Sequence, residues 1–163
     1  MVVSGLKIRA ITEADRKTVG LVGFAAWQSS DAFEESYLDP VVIERVRGEF
    51  ECFAQDADVD IVVADKDGVV VGWGARGEEP DYISDLWVDP NWQGNGIGRQ
   101  LIEHFIDQMR RANLHLAKIS THAANGAAIR LYERCGFSIV WRGAQWSQSM
   151  RVELQKVRLE KLL

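Results

Sequence analysis

The chain runs to 163 residues with a formal net charge of -5 and 47% hydrophobic side chains, enough for one domain with a sizeable core. No apolar run is long enough to span a membrane, Met1-Val2-Val3-Ser4-Gly5 lacks the regions of a signal peptide, and no basic footprint for nucleic acid is present. Cys52 and Cys135 lie far apart without a metal-type cluster, so both read as small buried hydrophobes in a reducing cytoplasm, with no metal.

Leu6 to Ile11 alternates and predicts an opening strand. Thr12, with Asp15 three residues on, resembles a capping box. A helix follows, with Leu21, Val22, Ala25 and Ala26 on its inner face, and Ser29-Ser30-Asp31 breaks it. A second helix starts after Pro40, with Ile43, Val46, Phe50 and Phe53 at helical spacing. Asp60 to Ala64, the turn Asp67-Gly68 and Val69 to Trp73 predict a hairpin. Tyr82 to Val88 is a strand that must end by Pro90, which has no N–H for a ladder. From Gly98, Leu101, Ile102, Phe105, Ile106 and Met109 give a helix one apolar face. A short strand from Ala117 to Thr121 precedes a helix capped by Asn125 and closed by Gly136, with Ala128, Leu131, Tyr132 and Cys135 on its face. Phe137 to Trp141 and Ser147 to Leu154 read as the last two strands. The tail Gln155 to Leu163 is open to strand, helix or packing on a partner. With no repeat or linker, a single domain spans 1–163.

Gly94, Gly96 and Gly98 stand where a strand gives way to a helix. There the first amides are unpaired and the macrodipole is positive, and glycine lets the backbone approach an anion, phosphate above all. No Gly-Lys-Ser/Thr follows, so this is not a Walker loop. The alternate spacing also departs from the Gly-x-Gly-x-x-Gly of dinucleotide folds.

Gln93-x-x-Gly96-x-Gly98, preceded by Leu86-Trp87-Val88-Asp89-Pro90, resembles the acetyl-CoA pyrophosphate loop of the GNAT superfamily of N-acetyltransferases. Asn125 through Leu131-Tyr132 to Gly136-Phe137 resembles a later helix of the same family. The stretch from Tyr82 to Trp141 is similar to its ribosomal-protein N-terminal acetyltransferases. The order β-α-α-β-β-β-α-β-α-β-β is the family's. The resemblance implies an α/β fold: a mixed, mostly antiparallel sheet with helices on both faces, whose splayed central strands hold acetyl-CoA. It implies that Leu86, Trp87 and Val88 pair with the pantetheine arm. Gln93, Gly94, Asn95, Gly96, Ile97, Gly98 and Arg99 would take the pyrophosphate. Asn125 would touch the pantetheine region, and Tyr132, also against acetyl-CoA, would be the general acid for the leaving thiolate. The implied activity is direct transfer of an acetyl group to a primary amine.

A base is needed too, since a free alkyl amine is mostly charged at neutral pH. The two positions where family members carry a glutamate fall here at Ser120 and near Tyr82, and neither is acidic. Asp85 is the nearest carboxylate and reads as a base, a substrate anchor, a salt-bridge partner or a solvent-exposed strand-edge residue. His122 and a water relay are alternatives. Trp27, Phe33, Tyr37 and Trp146 can line an aromatic acceptor pocket, with Asp31, Glu34 and Glu35 attracting an ammonium group; they can equally be core residues and a solvated face. The acceptor stays open between a small amine, an antibiotic amino group, a peptide N-terminus and a lysine, and a homodimer is one expected assembly. A non-catalytic acyl-CoA-binding module and an interaction domain are the competing readings.

Overall fold

The computed structural model describes residues 3–30 and 39–163. The described elements are β1 (Leu6–Ala10), α1 (Arg16–Ser29), α2 (Pro40–Gln55), β2 (Ile61–Lys66), β3 (Val69–Arg76), β4 (Tyr82–Val88), α3 (Ile97–Arg111), β5 (Leu116–His122), α4 (Gly126–Arg134), β6 (Ser138–Ser147) and β7 (Val152–Leu162). They build one seven-stranded sheet in the order β1-β2-β3-β4-β5-β7-β6. Every neighbouring pair is antiparallel except β4 and β5. This is the mixed α/β fold expected, with helices on both faces.

The two faces are visible in the alternation of the central strands. On β2, Val62 and Ala64 enter the core beneath α3 and α4, while Ile61 and Val63 enter the one beneath α1 and α2. A strand covered on both sides has no polar face to show, which is why Ile61-Val62-Val63-Ala64 is a continuous apolar run. Asp67 (φ 51) and Gly68 (φ 91) both adopt positive φ between β2 and β3, as a two-residue hairpin turn requires. Gly74 of β3 serves a close approach: a Cβ there would meet Phe105 of α3 at 2.7 Å and the Asp85 carbonyl at 2.9 Å.

The entry to α1 is held by charge. Thr12 donates from its amide (2.8 Å) and hydroxyl (2.9 Å) to Asp15. Arg9 of β1 bridges Asp15 (2.7 Å) and Asp65 of β2 (2.9 Å).

Three expectations are corrected. Leu21 lies on the solvent face of α1, because Val19, Val22 and Ala26 form the buried stripe. Cys52 is exposed rather than buried, on the outer face of α2, whereas Cys135 is buried. The last strand is not Ser147–Leu154. That segment holds the hairpin turn, and β7 continues through the tail, inserted between β5 and β6. Val157 and Leu159 of the tail are fully buried in the chain's own sheet, while Leu162 is exposed.

Candidate active site

β4 and β5 pair only at Tyr82↔Lys118 and Ile83↔Ile119. Beyond Ile83 they part. The backbone of Leu86, Trp87 and Val88 then pairs with β3 on one side, leaving its other edge open. A cavity of about 540 Å³ occupies the opening. Its lining includes Asp85, Leu86, Trp87, Val88, Gln93, Gly94, Gly96, Ile97, Gly98, Arg99, Asn125 and Tyr132, with Ser120, Thr121 and the end of α1.

A bulge aims Asp85. Ala75 of β3 pairs with Asp85 while Arg76 pairs with Ile83, so Ser84 is the extra residue. Ile83 before the bulge and Leu86 and Val88 after it all pack beneath α3 and α4. Asp85 and Trp87 are thereby turned to the α1 side, where Trp87 packs against Phe50. The Trp87 indole donates to Asp85 Oδ1 (3.2 Å) and the Ser84 hydroxyl to Oδ2 (2.9 Å). Burial raises the Asp85 carboxyl above its ordinary range, and those two hydrogen bonds and Lys156 pull it partly back. A carboxylate whose proton affinity is raised by burial is suited to accept a proton. Tyr132 of α4 lines the same cavity and packs near Phe137 (6.4 Å between rings). Burial first, then Tyr82, Asp85 and Cys135, raise its phenol, which holds its proton at neutral pH.

The phosphate end is built from backbone. α3 begins at Gly96, in the left-handed region (φ 78), with no side chain capping its amides and no acidic residue in its first turn. Both features leave the positive end of the helix available to an anion. A Cβ on Gly98 would meet Leu131 of α4 at 2.9 Å, so this glycine also lets the two helices approach. Gln93 donates to the Val88 carbonyl (3.2 Å) and Asn95 to the Trp92 carbonyl (2.9 Å). These amides tie down the loop, and Asn95 is absent from the cavity lining. Asn125 caps α4 by accepting from the Ala128 amide (3.4 Å) and donates to Thr121 (3.2 Å). The open edge of β4 and the uncapped α3 amides fit an extended amide arm ending in a pyrophosphate, the chemistry of CoA. Among the described residues no group of three His, Cys, Asp or Glu is placed to hold a metal.

Two of the four expected acceptor-pocket aromatics lie outside the cavity lining. Trp27 is 5% exposed, in a core cluster with Phe24, Val46, Met150 and Leu154. Trp146 is half-exposed near the end of β6, outside the cavity lining. Phe33 and Tyr37, with Asp31, Glu34 and Glu35, lie outside the described residues. His122, the alternative base, is the last residue of β5 and lies outside the cavity lining. Burial first, then Lys156, holds it at about 4, so it is neutral at pH 7. Lys156 had no signal in the sequence, because it falls in the tail and only the β5–β7 register brings it opposite His122.

Residues 13–137 match the acetyltransferase (GNAT) family. The chain belongs to this family. It is 30% identical over 86 residues to the L-methionine sulfoximine/L-methionine sulfone acetyltransferase of Salmonella typhimurium, covering 48% of this chain and 50% of that protein. It is 43% identical over 56 residues to the ribosomal protein bS18 alanine N-acetyltransferase of Escherichia coli, covering 34% and 38%. These matches span half or less of each relative. The Salmonella typhimurium acetyltransferase yncA, solved with its cofactor acetyl-CoA, superposes with a TM-score of 0.70 at 23% identity, over 98% of this chain and 95% of that one. The likeness of fold thus reaches beyond the segments alike in sequence.

Proposed function

We propose that this GNAT protein moves an acetyl group from acetyl-CoA directly to a primary amine, with Asp85 as general base and Tyr132 as general acid. The observation that carries the reading is the meeting of a raised carboxyl and a proton-retaining phenol in one cleft, beside an uncapped helix N-terminus. Acetyl-CoA supplies the activated acyl group as a thioester. The α3 amides and Arg99 would hold its pyrophosphate, and the open edge of β4 its amide arm. Asp85 takes the proton that the amine loses as the N–C bond forms. Tyr132 gives a proton to the sulfur as the C–S bond breaks. The relatives' names supply two kinds of acceptor, L-methionine sulfoximine or sulfone and an alanine of a ribosomal protein. A cytoplasmic site of action belongs to the same reading and is supported by two unpaired thiols.

The test is the pH dependence of turnover. Tyr132→Phe keeps the ring packing and should lose roughly 10²- to 10⁴-fold in kcat with little change in acetyl-CoA binding. Asp85→Asn should lose most at low pH, where the amine is protonated, and recover partly as pH rises. An Asp85→Asn enzyme with raised KM and an unchanged profile makes Asp85 an anchor instead. Wild-type turnover in Tyr132→Phe, with chemistry rate-limiting, overturns the acid. Acetyl-CoA binding without thiol release to any amine would favour the non-catalytic module.

A further inference from the structure

Lys156 lies within β7, paired with His122 of β5 and Gly143 of β6. Leu154, two residues earlier, packs with Phe24 and Trp27 of α1, while Val157 and Leu159 enter the core beneath α3 and α4. Strand alternation therefore turns Lys156 to the α1 side, the side to which the bulge turns Asp85. His122 shares that side, since Ala117 and Ile119 of β5 point the other way.

The other cations that β5 and β7 present on this side have carboxylate partners. Lys118 lies 2.9 Å from Glu79 and 3.3 Å from Asp81, and Arg158 lies 3.7 Å from Glu160. Lys156 is half-buried and has no carboxylate within 4.0 Å among the described residues. A cation that gives up water without a counter-ion is costly, and a ligand anion that pairs with it removes the cost. His122, its cross-strand neighbour, is neutral at pH 7 and so adds no second charge to satisfy. Burial pulls the Lys156 ammonium below its ordinary value and the Asp85 charge partly restores it, yet the two do not form an ion pair. One side of the sheet thus carries the Asp85 carboxyl, in the cavity lining and hydrogen-bonded to Ser84 and Trp87, and the Lys156 ammonium, which lies outside that lining and has no ion-pair partner among the described residues.

We propose that the acceptor is a free α-amino acid or a close analogue, its amine meeting Asp85 and its carboxylate meeting Lys156. The proposal rests on the reading of Asp85 and the cleft given above. One carbon joins the two groups in such a molecule. A peptide N-terminus presents a neutral amide where the carboxylate would be. A carboxylate brings a full negative charge that compensates the half-buried ammonium, whereas a neutral amide leaves it uncompensated, so this single substitution separates the two acceptor classes.

The experiment measures kcat/KM for the α-amino acids found in proteins and for the carboxamide of each, using wild type, Lys156→Met and Lys156→Arg. The wild type should prefer the acid over its amide for at least one side chain. Lys156→Met should cut that acid-to-amide ratio by at least tenfold through KM, and Lys156→Arg should keep most of it. Comparing ratios between enzymes cancels the difference in basicity between the two amines. If Lys156→Met does not fold, Lys156→Gln replaces it. A ratio unmoved by the substitution overturns the anchor and leaves Lys156 a residue that only tunes Asp85. Failure to acetylate any free amino acid overturns it as well. If amides are still acetylated, acetyl transfer stands and the carboxylate anchor alone falls. If no amine is acetylated and acetyl-CoA gives no thermal shift, the proposed function falls with it.

Discussion

Asp15→Asn preserves the shape of a side chain at the entry to α1 and removes its charge. Arg9 donates two hydrogen bonds to that carboxylate (2.7 and 3.1 Å), and Thr12 donates two more (2.8 and 2.9 Å). The Arg9 guanidinium is the largest cause holding the carboxyl down at about 2, against 3.8 for an unperturbed aspartate, with burial opposing it. At about 1.4 kcal/mol per tenfold in proton affinity, that difference contributes about 2 kcal/mol to stability. The folded value lies below the unfolded one, so the contribution is complete above about pH 4 and is lost as the pH falls through about 2. Urea unfolding followed by circular dichroism, at steps from about pH 7 down to about pH 2, reads it directly. Asp15→Asn should be about 2 kcal/mol less stable at neutral pH, and the two proteins should converge in acid. A neutral-pH gap below roughly 0.5 kcal/mol, or a gap that persists unchanged in acid, refutes the reasoning.

Gly96 starts α3 at φ 78, a region that costs a residue with a Cβ roughly 1–2 kcal/mol. Gly96→Val should therefore displace the first α3 amides and weaken CoA binding by about tenfold or more, read by calorimetry; unchanged affinity in a folded variant removes the loop from the site. Deleting Gln155 to Leu163 takes out Val157 and Leu159, both fully buried, and the strand that β5 and β6 share. Calorimetric scanning should then show no cooperative transition, and a truncated chain melting like wild type contradicts the packing of β7.

The order of elements, the β2–β3 hairpin and the α3 and α4 faces were legible in the sequence because each is set by local periodicity, a cap or a turn. Asp39 caps α2 through the Val41 amide (2.9 Å), and Asp67-Gly68 makes its turn, whatever the rest of the chain does. The loop from Gln93 to Arg99 and the helix after Asn125 were legible for the same reason, each being a contiguous motif. What local pattern could not decide is everything set by which strand lies beside which. The tail became a strand inside the sheet only because β5 and β6 both needed a partner and Val157 and Leu159 could enter the core between them. Leu21 lost its expected inner place, and Trp27 went to the core and not to the cavity, because one α1 face met α2 and the β6–β7 hairpin. Asp85 faces the α1 side because Ser84 has no opposite number on β3, a mismatch that exists only between two strands. Lys156 lies far from Asp85 in sequence, and nothing near either residue marks the other. Two charges that avoid pairing while sharing one side of a sheet are a property of register, and register is settled by the packing of the whole sheet.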